Sequence, residues 1–335
     1  MKTLLTALLL VSSYASFSQQ LSYKVLKDEP DKIKNFTLHL DPFYVDAWST
    51  NTTIGFGVRA DAMIMKRLST NVFFRKAYLD MNARSQSDAS LPQPKKGFSK
   101  FTYFEPAVSF HIIDKIKKRS VKVVLSSSTS YSGNYKTTST KYIRVPGSVR
   151  KIRGVRGGLF FVNTAIEMDE GDAIKTWTAK SGNETVTFGE YGTRVHGSAI
   201  YNGYSQMRQV SLFGGLTFKS ITNLQTEVEG YSKTRGNYNF YDFYVDVMYA
   251  PVLSYQDVKF ADGTQFSLSN SSNNRTGWRA GVLWKHASKT FLSYGFEFGQ
   301  RPGYAGNDKG ILNSRSFMNL FMGISIPYDL KFIKS

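Results

Sequence analysis

From Phe36 onward, apolar side chains recur at every second position. Ile54, Phe56, Val58, Ala60, Ala62 and Ile64 fall on one face, and Gly55, Gly57, Arg59, Asp61 and Met63 on the other. A period of two belongs to a β-strand with one apolar face; a helix would scatter both sets around its circumference. The device returns at Val210–Phe218, Phe243–Tyr249, Trp278–Trp284, Leu292–Phe298 and Met318–Ile326. The first of these runs is about 11 residues long, the length a tilted strand needs to cross a bilayer. Glycine recurs on the polar face. Strand interiors normally disfavour glycine, but small inward residues relieve crowding inside a closed barrel.

Connection lengths add an independent signal. Lys66–Ser69 and His286–Lys289 are tight links, Asp114–Ser120 is short and basic, and Pro146–Gly147 reads as a turn. Asn82–Gly97, Glu167–Val195, Ala261–Thr276 and Arg301–Arg315 are long and polar. Outer-membrane barrels alternate short periplasmic turns with long external loops. Strands near 36–48, 52–65, 70–81, 98–113, 121–132, 134–145, 150–166, 196–206, 209–229, 239–250, 252–260, 277–285, 290–300 and 316–328 keep that alternation with both termini periplasmic. The expected fold is all-β: a single transmembrane antiparallel β-barrel of about 14 strands, or 12 if one hairpin is lost, with an even count either way. Tyr44, Trp48, Tyr249, Trp278, Trp284 and Tyr328 near strand ends suit interfacial girdles.

Composition sharpens this picture. The chain of 335 residues holds 25 Phe, 20 Tyr and 27 Gly, and no cysteine, which excludes disulfide scaffolds, thiolate metal sites and cysteine nucleophiles. Residues 1–18 read as a signal peptide: Lys2 is a basic n-region, Leu4–Val11 an apolar core too short to span, and Ala15, Ser16 and Ser18 small residues before cleavage. Residues 19–35 read as a periplasmic tail and 36–335 as the barrel. Net charge is +18. Export argues against nucleic acid as the partner, and points to anionic membrane surfaces, outer-membrane lipid and lipopolysaccharide.

On these residues the chain resembles the monomeric outer-membrane β-barrels of Gram-negative bacteria over residues 36–328, and is most similar to examples from Bacteroidota. The Ser18-Gln19-Gln20 junction resembles signal-peptide ends common there. The resemblance implies a last strand presented to the barrel-assembly machinery, with glycine followed three and five residues later by hydrophobic or aromatic residues. Gly323, Ile326 and Tyr328 match that signal; Phe321 stands where a polar residue is usual, and Asp329–Ser335 follow the strand.

Catalytic chemistry finds little purchase. The histidines are His39, His111, His196 and His286, and none pairs at metal-ligand spacing. No catalytic, cofactor or metal residues are expected, and no enzyme activity. Alternation instead directs Arg59, Asp61, Glu105, Lys122, Lys219, Asp246, Arg279 and Glu297 into the lumen. They line a water-filled path and set ionic selectivity, or they pair across the lumen and hold it closed. Three functions follow: a small diffusion channel for polar solutes, a non-conducting scaffold or accessory barrel that binds another envelope protein, or a soluble exported β-sandwich.

Overall fold

The alternating segments close on themselves. The computed structural model describes residues 21–48, 51–80, 100–168, 178–181, 184–187, 190, 193, 203–259, 264–266, 273–287, 289–304 and 315–330; the expected signal peptide lies outside them. Thirteen strands carry the architecture: β1 Tyr23–Asp28, β2 Phe36–Trp48, β3 Asn51–Met65, β4 Leu68–Asp80, β5 Thr102–Ser132, β6 Tyr135–Met168, β7 Gly203–Ile221, β8 Leu224–Val228, β9 Arg235–Asn237, β10 Asn239–Tyr255, β11 Thr276–His286, β12 Phe291–Gln300 and β13 Ser316–Tyr328. Ten of them form a closed antiparallel barrel in the order β2-β3-β4-β5-β6-β7-β10-β11-β12-β13, with β13 returning to β2. Closure leaves no strand edge along the wall, the only way a sheet can sit in hydrocarbon.

The barrel has ten strands where about fourteen were expected, because four breaks between expected strands are continuous strand. Asp114–Ser120 lies inside β5, Pro146–Gly147 inside β6, Met207–Arg208 inside β7 and Pro251 inside β10. Each merger removes one strand, so the count stays even. β4 pairs with β5 only as far as Phe110, and β7 with β6 only as far as Arg150. Beyond those points β5 and β6 pair only with each other, down to Ser132 opposite Tyr135. The result is a two-stranded ribbon leaving the barrel. Its arms run on the order of 60 Å at about 3.3 Å per residue. Gly133, at φ 56°, turns the tip, the position that the tight hairpin turns reserve for glycine.

The tail is not featureless either. β1 pairs with β8, and β8 with β9, in a small sheet at the terminal end. Leu224 of β8 packs on Val121, Val123, Val145 and Val149 of the ribbon. Asp28 at the end of β1 accepts hydrogen bonds from the Ser148 amide and hydroxyl, both at 2.8 Å. The ribbon root is therefore braced.

Burial inverts the soluble pattern. Along β12 and β13, Leu292, Met318, Leu320, Met322 and Ile324 are about half exposed, while Ser293, Asn319 and Ser325 have no accessible surface. An outward apolar face on every barrel strand is far larger than the patch a soluble protein leaves uncovered, and it identifies the wall as membrane-facing rather than as half of a sandwich. Tyr249 and Trp278 near one end, and Tyr294 and Tyr328 near the other, point outward as girdles require. Tyr44 and Trp48 do not: both are buried in the lumen.

Candidate functional site: the lumen and the terminal end

The inner face is built from the polar partners of each alternating strand, together with aromatic rings seated over inward glycines. A Cβ on Gly281 would lie 2.4 Å from Tyr244, and one on Gly295 would lie 2.1 Å from Phe321. Glycine on one strand is thus the socket for a ring on the next.

Mid-lumen charges meet in one network. Arg279 donates to both oxygens of Glu105, at 2.6 and 2.8 Å, and to Asp246 at 2.8 Å. Arg156 reaches Glu105 at 3.2 Å and lies 3.5 Å from Asp246. Arg75 donates to Glu297 at 3.1 and 3.2 Å. The Tyr244 and Tyr103 hydroxyls donate to Glu297 and Glu105. Arg59 clasps Asp41 at 2.6 and 3.1 Å. Guanidinium planes also lie over rings, Arg156 over Tyr244 at 4.0 Å and Arg279 over Phe213 at 4.5 Å, where the ring quadrupole attracts the cation.

Above this level Arg301 donates to Asp46 at 3.0 Å, and Asn319 donates to the same carboxylate at 2.9 Å. Val186, Phe266 and Tyr304, from the long connections, belong to the same buried cluster as Trp48, Phe101 and Phe317. Below it, Lys285 donates to Asp61 at 3.0 Å and to Thr37 at 2.9 Å, while Lys219 donates to Ser69 at 2.9 Å and lies 3.6 Å from Asp242. These lower groups line a small vestibule that opens at the terminal end.

The arithmetic of the lumen is even. Arg59, Arg75, Arg156, Lys219, Arg279, Lys285 and Arg301 each have a carboxylate among Asp41, Asp46, Asp61, Glu105, Asp242, Asp246 and Glu297. Among the described residues, seven lumen cations meet seven anions. A buried charge is tolerated only when paired and hydrogen-bonded, and here the pairing is complete. Among the described residues, the basic surplus therefore lies outside the lumen.

Of the residues that alternation directs inward, Arg59, Glu105, Asp246, Arg279 and Glu297 are buried in the network, and Asp61 and Lys219 line the vestibule. Lys122 is a correction. It stands exposed on the ribbon with its ammonium 4.4 Å from the Tyr142 ring centroid, because β5 has left the barrel before reaching it. Alternation did not single out Asp41, Asp46, Arg75, Arg156 or Arg301. Arg75 and Arg156 carried a sequence signal, Arg75 alternating with Val72 and Phe74 and Arg156 with Val155 and Leu159.

His39 joins Ser293 at 3.2 Å and Asp61 at 2.9 Å, a serine–histidine–aspartate chain in composition. Ser293 has no accessible surface and also accepts from Arg59 at 3.2 Å. A nucleophile needs a face toward its substrate, and this serine instead holds Arg59 in place. His111 bonds to Ser69 at 3.0 Å. His286 stacks on Tyr238, with ring centroids 4.9 Å apart. His196 lies outside the described residues. Among the described residues, no group of three or more histidine or acidic side chains is placed to hold a metal ion.

Gly323, Ile326 and Tyr328 lie in β13, which closes the barrel against β2. Gly323 has a packing reason of its own: a Cβ there would lie 2.1 Å from the Leu40 carbonyl oxygen, where β2 bulges.

No protein-family model matches the chain, and no curated protein matches it. Among solved structures it is similar to in-vitro folded OmpT, an outer membrane protein of Vibrio cholerae, at 11% identity over 91% of this chain and 100% of that one, with a TM-score of 0.20. The outer-membrane expressed form of the same protein gives 10% identity, the same coverage and a TM-score of 0.17. Likeness at that level carries no argument, and the fold rests on the strand pairing and burial described above.

Proposed function

We propose that this chain is an outer-membrane barrel that does not conduct, and that serves as a scaffold holding a basic ribbon at the periplasmic face for another component of the envelope. The observation that carries the reading is the neutral, paired mid-lumen: Arg59, Arg75, Arg279, Glu105, Asp246 and Glu297 are each at most 3% exposed. An eight-stranded barrel is just wide enough for side chains to fill, and ten strands are filled here by arginines and aromatic rings. Export would use residues 1–18, and Gly323, Ile326 and Tyr328 would be read by the assembly machinery. Lipopolysaccharide would meet the loop end.

Swelling of proteoliposomes in isotonic arabinose tests the lumen. The scaffold reading expects swelling no faster than in protein-free vesicles, and faster swelling overturns it. A photo-crosslinker placed at Tyr131 or Tyr135 on the exposed ribbon tip tests the partner. In intact cells these sites are expected to yield an adduct with one envelope protein, and the lipid-facing site Tyr249 is not. A second reading, a narrow diffusion channel, draws on the vestibule lined by Asp61, Lys219 and Lys285, and the same swelling experiment decides it.

A further inference from the structure

The outer face of β5 and β6 changes chemistry abruptly at the barrel's terminal rim. Along the wall it is apolar: Phe104 stands opposite Phe161, and Phe110 opposite Val155. The next outward positions are Ile113 opposite Arg153 and Lys115 opposite Lys151; one pair further on, Lys117 is exposed beside Val149, which Leu224 of β8 buries. Lys115, Lys117 and Arg153 are exposed and Lys151 is half-buried. Among the described residues none of these cations has a carboxylate partner, in contrast to every cation of the lumen. The one acid of this stretch, Asp114, alternates to the other face and is held by Arg150 at 2.6 and 2.8 Å. From 114 to 153 the chain has eleven basic residues and that single acid.

Directly opposed residues on one face sit about 5 Å apart, and like charges there repel. Lys115 and Lys151 are such a pair. A fold that neutralises every internal cation yet leaves this pair uncompensated, at the boundary where lipid tails give way to headgroups, has left room for an external anion. We propose that Lys115, Lys117, Lys151 and Arg153 form a binding patch for the phosphate of an anionic phospholipid in the periplasmic leaflet. The lipid's tails lie along Phe110 and Val155, and its headgroup bridges the two strands. The apolar wall immediately above selects an acylated phosphate over a free one. Basic residues at a membrane surface attract anionic lipid, and the four together supply the selection. The patch is independent of whether the lumen conducts.

The test uses the full mature chain in neutral detergent, titrated with phosphatidylglycerol or phosphatidylcholine and read by native mass spectrometry. The wild type is expected to retain phosphatidylglycerol over phosphatidylcholine on the order of tenfold. The variant Lys115→Gln/Lys117→Gln/Lys151→Gln/Arg153→Gln is expected to lose that preference. The charge-conserving Lys115→Arg/Lys117→Arg/Lys151→Arg keeps it. Heat-modifiable gel migration confirms that each variant is folded, and if the glutamine variant does not fold, Lys151→Gln alone is expected to lower the preference at least twofold. Equal retention of the two lipids by the wild type, or undiminished preference in folded glutamine variants, overturns the proposal. So does full displacement of the lipid by millimolar glycerol phosphate, which would assign the patch to a soluble phosphate.

Discussion

At Gly295, a Cβ would sit 2.1 Å from Cζ of Phe321 and 2.7 Å from Cδ2 of Leu283, whereas at Gly214 its nearest neighbour would be the Arg156 carbonyl oxygen at 3.9 Å. The two glycines should respond oppositely to the same methyl group. Gly295→Ala is expected to destabilise by about 1–3 kcal/mol through overpacking, and Gly214→Ala to change stability by less than about 0.5 kcal/mol. Urea unfolding in detergent micelles measures both, and equal shifts in midpoint would argue against the socket. Arg279→Ala tests the network in the same assay. It leaves Glu105 and Asp246 buried without their main partner, a loss of about 3–5 kcal/mol. Arg279→Lys should rescue only part of it, because an ammonium lacks the planar fork that reaches Glu105 and Asp246 together. Alternation was enough to point inward at Arg59, Glu105, Asp246, Arg279 and Glu297. It could not point to their partners, since Arg75 and Glu297 are 222 positions apart and a period of two says nothing about which strands meet across a lumen.

The ribbon is where sequence cues and structure part. Lysines at 115, 117 and 118 followed by Arg119, and a proline followed by glycine at 146–147, read as turns in the sequence. Here they fall where β5 and β6 have lost their barrel neighbours, and a two-stranded segment tolerates proline and charge because one edge of each strand faces water. Pro251 sits at another such place, in a bulge of β10 where the pairing with β7 shifts between Tyr249 and Val252. The period-two signal survives all of these, but the segments near 121–132, 134–145, 209–229 and 239–250 run opposite to the direction that the expected turns give them. If the ribbon is an appendage, replacing Lys118–Ser148 by a two-residue Asn-Gly turn should leave heat-modifiable migration intact. The cost should be about 2 kcal/mol for the uncovered Leu224. A variant that no longer assembles would make the ribbon part of the barrel's folding unit. Asp28→Ala removes both hydrogen bonds to Ser148, about 1 kcal/mol each. Faster amide exchange at Ser148, with barrel amides unchanged, is the expected readout.

The molecule as a whole separates its charges by compartment. Among the described residues the lumen is neutral pair by pair, the wall carries its apolar face outward between aromatic girdles, and the basic surplus is concentrated on the ribbon that leaves the terminal end. That distribution favours a barrel whose interior holds it together and whose exterior makes its contacts. The most direct measurement is single-molecule conductance in planar bilayers, recorded for the wild type beside Arg75→Ala/Tyr244→Ala/Arg279→Ala/Phe321→Ala, a variant that empties the mid-lumen. The wild type should give no current steps, and the emptied variant, once shown to fold, should give them. Reproducible steps from the wild type would contradict the sealed lumen and return the chain to the channels.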